Sequence, residues 1–138
     1  MRIGVDFGTT RTLVAFVDRG NYPVVSFIDD DGAAHEHIPS VVAAVQGSLV
    51  FGFDAISAAR DGAPLVRSFK RLLASPDVAG GDPVRIGPVE TTLVDVLTGF
   101  LRYVDSALRS RSNLTKIKKK PATSDAFEAV VAVPAHAH

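Results

Sequence analysis

The chain has 138 residues, of which 46% are hydrophobic and 22% charged, and its 15 basic side chains balance 15 acidic ones. This composition is typical of a folded globular domain and excludes a disordered segment. The absence of cysteine excludes disulfides, thiolate metal sites and cysteine nucleophiles. No apolar run approaches the roughly 20 residues of a transmembrane helix, and no signal peptide is visible, so we expect a cytoplasmic location.

The N-terminal part of the chain is predicted to be rich in β-structure. Apolar residues alternate with glycine and aspartate over residues 3–8, which predicts a strand. Turn-forming residues separate it from two further strands, at 12–17 and 22–28, so that the three form an antiparallel meander. Residues 35–45 are predicted to be extended with a break at Pro39, and 49–53 to form a short strand.

Two short helices are predicted next. Asp54 is a candidate N-cap for the first, and Gly62 is positioned to end it. Pro64 suits the first turn of the second, which is predicted to cover residues 65–74. Residues 84–90 are then predicted to form one strand.

The clearest helix begins at Thr91 or Thr92, where Asp95 stands in the position of a capping-box carboxylate. Its apolar side chains recur at helical spacing over about five turns. They are Leu93, Val96, Leu97, Phe100, Leu101, Val104 and Leu108. Further along, residues 129–133 form an uninterrupted apolar run, which predicts a strand buried on both faces.

The most informative stretch lies at the turn between the first two predicted strands. Gly8 lets a ligand approach the backbone closely, and successive N–H groups in a tight turn can bind an anion. Thr9 and Thr10 add hydroxyl donors, while Asp6 offers a carboxylate that can reach phosphate through a hydrated Mg²⁺. A carboxylate held inside a sheet is costly unless it is bonded or close to a metal. The alternative is a plain hairpin whose polar residues satisfy the turn.

Four motifs in chain order resemble the N-terminal part of the ATPase domain of the 70 kDa heat-shock chaperones (DnaK type). They are the loop Ile3–Thr10, the segment Ile38–Ala43, the Phe69–Leu73 helix and the strand Ala129–Ala135. The resemblance covers almost the whole chain. It implies an α/β fold of the actin-like, ribonuclease-H-like ATPase class, with a mixed sheet and flanking helices.

The same resemblance implies that the chain is an incomplete lobe I of that ATPase domain. A larger subdomain would comprise residues 1–35 and 124–138, and a smaller one, residues 36–123, would be inserted between them. The family's second phosphate loop, adenosine pocket and peptide-binding domain have no counterpart in these residues. We therefore expect the isolated chain to bind nucleotide weakly or not at all, to be inactive, and to be able to self-associate.

Roles for individual residues follow from the resemblance. Asp6 would hold magnesium through water, and Lys70 would position the attacking water or stabilise charge in the transition state. Pro134 matches a proline that the family places at a hinge. The phosphates of ATP or ADP would be received by the loop residues Gly8, Thr9, Thr10 and Arg11. Arg11 departs from the asparagine or small polar residue usual in the family.

The function implied is that of a molecular chaperone, in which ATP hydrolysis is coupled to binding and release of unfolded peptides. Partners would be the remainder of the ATPase domain, the peptide-binding domain, a J-domain co-chaperone and a nucleotide exchange factor, with no nucleic acid and no membrane. One alternative is another actin-like ATPase, such as a filament protein or a sugar kinase. A second is a non-catalytic binding module that uses the segment 109–120, which carries six basic and no acidic residues.

A second hypothesis is a metal site of a different kind. His35 and His37 are two residues apart and would share one face of a strand, which is a spacing that can begin a zinc site. No third ligand of suitable type is obvious nearby, and the Asp29–Asp31 run is better explained as a charged turn.

Overall fold

The computed structural model describes residues 1–67, 77–114 and 126–132, which form an α/β structure. Two helices are present in these ranges, α1 (Gly52–Arg60) and α2 (Leu93–Ser110). The strands, in chain order, are β1 (Arg2–Phe7), β2 (Arg11–Phe16), β3 (Phe27–Ile28), β4 (Ala34–His35), β5 (Ile38–Pro39), β6 (Val41–Val45), β7 (Ser48–Phe51), β8 (Leu65–Arg67), β9 (Pro83–Ile86), β10 (Val89–Thr92) and β11 (Glu128–Ala132).

The main sheet is mixed and has the strand order β11–β1–β2–β5. Strands β1 and β2 are antiparallel, with Val5 opposite Val14, and β5 pairs antiparallel with the start of β2. Strand β11 lies parallel to β1, with Val5 opposite Val131. The predicted strands at 3–8 and 12–17 are therefore confirmed, and the mixed sheet agrees with the expected α/β class.

The predicted third strand of an antiparallel meander, at residues 22–28, is wrong. The chain does run beside β2, where Val25 N–H donates to the carbonyl of Val14, but the pairing is a single bridge between Val24 and Ala15. Pro23 has no N–H to continue the ladder. Only Phe27 and Ile28 of this segment are in a strand, and they pair with β4 instead.

A second sheet consists of β7, β6 and β8 in that order, with α1 packed near β6 and β7. Residues 65–67, predicted to start a helix, form strand β8 because they pair with Val41–Ala43 of β6. The predicted cap of α1 is also wrong: the N-cap is Phe51, which forms no side-chain cap, and Asp54 lies in the first turn.

The segment predicted as one strand at 84–90 is a hairpin of β9 and β10, which turns at Gly87 with φ of +56°. Helix α2 follows directly. Its predicted start is confirmed, because Thr92 is the N-cap and its hydroxyl accepts a hydrogen bond from the backbone N–H of Asp95. Among the described residues, neither helix combines the length and the apolar character that crossing a bilayer would need.

The core lies where α2 packs against one face of the main sheet. Phe7 of β1 stacks on Phe100 of α2 with ring centroids 5.3 Å apart, and Phe51 meets the same ring edge-on at 6.4 Å. A Cβ on Gly99 would come closer than 3.0 Å to the ring of Phe51. The glycine that weakens this helix locally therefore allows the aromatic cluster to pack closely.

Strand β11 differs from its prediction in burial. All five of its residues are exposed, with 75% of the surface of Val130 and 43% of that of Val131 accessible. An apolar run alone does not distinguish a doubly covered strand from an edge strand. Within the described residues, β11 is an edge strand that pairs only with β1.

Candidate functional site

The turn Gly8–Thr10 joins β1 to β2 and brings five predicted site residues into one place: Asp6, Gly8, Thr9, Thr10 and Arg11. It is tight, because a Cβ on Gly8 would lie closer than 3.0 Å to the backbone carbonyl oxygen of Arg11. Since that neighbour is backbone, only glycine fits there without a shift of the chain. The close return of the chain supports the predicted need for glycine at this position.

Asp6 lies at the end of β1 between Ala132 of β11 and Leu13 of β2. The expectation of a carboxylate held inside the sheet is wrong, because Asp6 is exposed to solvent. It needs neither a buried partner nor a metal to be tolerated. Its chemistry still suits magnesium, which commonly keeps several waters and uses one or two carboxylates together with substrate phosphates.

Two buried hydroxyls support the turn from below. Ser40 Oγ donates to the carbonyl of Gly8 at 3.0 Å and lies 2.8 Å from Thr12 Oγ1. The backbone N–H of Ser40 donates to the carbonyl of Thr10 at 3.1 Å. Thr12 and Ser40 were not predicted as site residues. A signal for Thr12 was present, since it falls in the buried phase of β2 with Val14 and Phe16.

Three predicted functional residues remain to be described: Arg11, which directly follows the turn, and Lys70 and Pro134. Arg11 is exposed and begins β2 opposite Pro39. Lys70 and Pro134 lie outside the described residues, so their roles stay predictions.

A groove of about 140 Å³ lies between the Asp29–Asp31 loop and α1. His35 Nε2 lies 2.7 Å from Asp29 Oδ2, and this hydrogen bond lowers the pKa of Asp29. His37 stands next to His35 with ring centroids 5.5 Å apart. In the described parts of the chain, no group of three or more acidic or histidine residues is arranged to hold a metal ion directly. This leaves the zinc hypothesis without support.

The pKa of His37 is lowered from 6.5 by burial and then by the positive charges of Arg11 and His35. Between this lowered value and pH 6.5, the unfolded chain binds more protons at this residue than the folded chain does. Acidification through that window should therefore reduce stability. We expect the unfolding free energy to fall less in His37→Gln than in the native sequence between about pH 7.5 and about pH 5. Denaturant titrations at each pH measure the unfolding free energy of both proteins. If this free energy changes equally with pH in the two, the prediction is contradicted.

Arg111 ties the end of α2 to this loop and to α1. It pairs with Asp30 at 2.6 Å and Asp54 at 3.5 Å, and it donates to Tyr103 Oη at 3.0 Å. Arg109 pairs with Asp105 at 3.1 Å and lies over the ring of Phe127. The two described arginines of the basic segment 109–120 are thus engaged within the chain.

No known protein-family model matches this chain, and a comparison with curated proteins finds no match. The function of the chain must therefore be inferred from its residues and their geometry.

Proposed function

We propose that this chain is a nucleotide-binding part of a DnaK-type chaperone ATPase and that its β1–β2 turn receives the phosphates of ATP or ADP. The observation that supports this most is the close return of the chain at Gly8, next to the exposed carboxylate of Asp6. A tight turn presents backbone N–H groups to an anion, and the carboxylate adds a site for hydrated magnesium. The finer fold proposed is lobe I of the actin-like ATPases, with which the mixed sheet is compatible.

In this proposal the residues of the turn bind and orient. Gly8 permits close approach of the phosphates, while the hydroxyls of Thr9 and Thr10 and the guanidinium of Arg11 donate to them. Magnesium, when bound, neutralises phosphate charge, and Asp6 orients its water shell. The remaining elements of a phosphoryl-transfer site, including Lys70 and a second lobe, stay predictions of the resemblance. So do the peptide substrate and the co-chaperones.

The test is an NMR titration of the ¹⁵N-labelled chain with Mg-ATP. Of the two outcomes expected for the isolated chain, weak binding or none, the proposal requires weak binding. The backbone amides of residues 6–11 should then show shift changes that require magnesium, and no phosphate should be released. Asp6→Asn should weaken Mg-ATP binding about tenfold, because it removes one charge that favours the hydrated cation. Its stability should change little, since Asp6 is exposed.

Asp61→Asn is the matched control, because Asp61 is an exposed carboxylate just after α1. It should leave both stability and Mg-ATP binding unchanged. If no amide of the turn responds to Mg-ATP, or if Asp6→Asn binds normally and melts much lower, the turn is a structural hairpin and the proposal fails.

The binding-module alternative draws less support from the structure. Arg109 and Arg111, two of the six cations that it would use, already form ion pairs with Asp105 and Asp30. Salt-sensitive binding of a polyanion, without any response to Mg-ATP at the turn, would favour that alternative.

A further inference from the structure

Thr12 and Ser40 are both fully buried, and in the described parts of the chain every buried side-chain polar atom has a hydrogen-bond partner. Ser40 Oγ donates its one proton to the carbonyl of Gly8. The hydrogen bond between the two hydroxyls, at 2.8 Å, must then use the proton of Thr12. The result is a directed chain of hydrogen bonds that runs from Thr12 to Ser40 to the backbone of Gly8.

This chain of hydrogen bonds sets the orientation of one peptide group. In a trans peptide the carbonyl of one residue and the N–H of the next point in opposite directions. Since the carbonyl of Gly8 points to Ser40, the N–H of Thr9 points away from Ser40. Ser40 also contacts the carbonyl of Thr10, to which the backbone N–H of Ser40 donates at 3.1 Å. Ser40 therefore forms hydrogen bonds to the residues on both sides of Thr9, Gly8 and Thr10.

We infer that Ser40, oriented by Thr12, is a positioning residue that aims the N–H of Thr9 at a bound phosphate. This inference depends on the proposed function of the turn. Loss of the Ser40 hydroxyl leaves the carbonyl of Gly8 without this donor, so that the orientation of the Gly8–Thr9 peptide is less well fixed. Preorganised donors bind an anion more tightly than donors that must first be ordered.

The experiment compares Ser40→Ala, Thr12→Val and Ser40→Thr in the same Mg-ATP titration. Ser40→Ala should weaken binding about tenfold. This is the effect of one hydrogen bond to a charged group, here the bond from the N–H of Thr9 to the phosphate. Thr12→Val should weaken binding to a smaller extent. Ser40→Thr, which keeps the hydroxyl, should bind Mg-ATP as the native chain does. Without ligand, the Thr9 amide should lose its native shift in Ser40→Ala and recover it in Ser40→Thr.

Ser112→Ala is the matched control. Ser112 is also buried, and its hydroxyl donates to the carbonyl of Leu108 at 2.6 Å, at the end of α2 rather than at the turn. It should lower stability and leave Mg-ATP affinity unchanged. If the native chain binds Mg-ATP at the turn and Ser40→Ala binds equally well, the positioning role is wrong while the proposed function stands. If the native turn does not respond to Mg-ATP, both are wrong.

Discussion

Replacing Gly8 with alanine should destabilise the chain by about 2–3 kcal/mol and abolish the response of the turn to Mg-ATP. The new Cβ would overlap the backbone carbonyl oxygen of Arg11, and no side-chain rotation can relieve that overlap. The hairpin must open at its tightest point. The hydrogen bond from Ser40 to the carbonyl of Gly8 would be displaced with it. Denaturant unfolding and the NMR titration measure the two effects.

Gly4→Ala provides the control for this substitution. Gly4 lies in β1, the strand that leads into the turn, and a Cβ built on it meets no atom within 4 Å. Its alanine variant should keep native stability to within about 0.5 kcal/mol and should bind Mg-ATP normally. Equal behaviour of the two variants would show that the close contact at Gly8 does not determine the shape of the turn.

Replacing Phe100 with alanine should remove about 3–5 kcal/mol of stability. Phe100 is fully buried and contacts the rings of Phe7 and Phe51, which belong to different sheets. The cavity would therefore open where the helix joins both sheets. Domains of this kind are stable by about 5–15 kcal/mol in total, so the loss is a large fraction. Thermal and denaturant unfolding measure it.

Leu101→Ala is the matched control on the same helix. Leu101 is 40% exposed, so its truncation should cost less than about 1 kcal/mol. If Phe100→Ala lowers stability as little as Leu101→Ala does, the contacts of Phe100 with Phe7 and Phe51 do not stabilise the core.

Local sequence patterns predicted those elements whose own periodicity or cap determines them. Strand β1 alternates cleanly, and α2 has both an apolar stripe and a capping threonine at Thr92. The wrong predictions concern segments whose secondary structure is determined by pairing with residues distant in sequence. Residues 65–67 are a strand because β6 offers them an edge, and no feature of their own sequence indicates that partner. Gly87 divides one predicted strand into a hairpin through a backbone conformation that favours glycine.

The candidate site was predictable to a similar degree. Its glycine and carboxylate are only two positions apart in sequence and belong to one motif, so the resemblance identified them directly. Ser40 was recognised only as part of a motif, because its contact with Gly8 spans 32 positions and its hydroxyl is unremarkable in a β-rich stretch. Only the pairing of β5 with the start of β2 brings Ser40 under the turn.

The parallel pairing of β1 with β11 has a consequence for the order of events during synthesis. Arg2 lies opposite Glu128, so one edge of the first strand stays unpaired until 126 further residues have been made. The hairpin of β1 and β2 can form early, since it needs only local contacts. Until the distant strand arrives, the N-terminal edge presents unpaired backbone groups to other chains. The nascent polypeptide is thus exposed to mispairing at this edge until residue 128 has been made, and the slowest folding step should be the closure of this long loop.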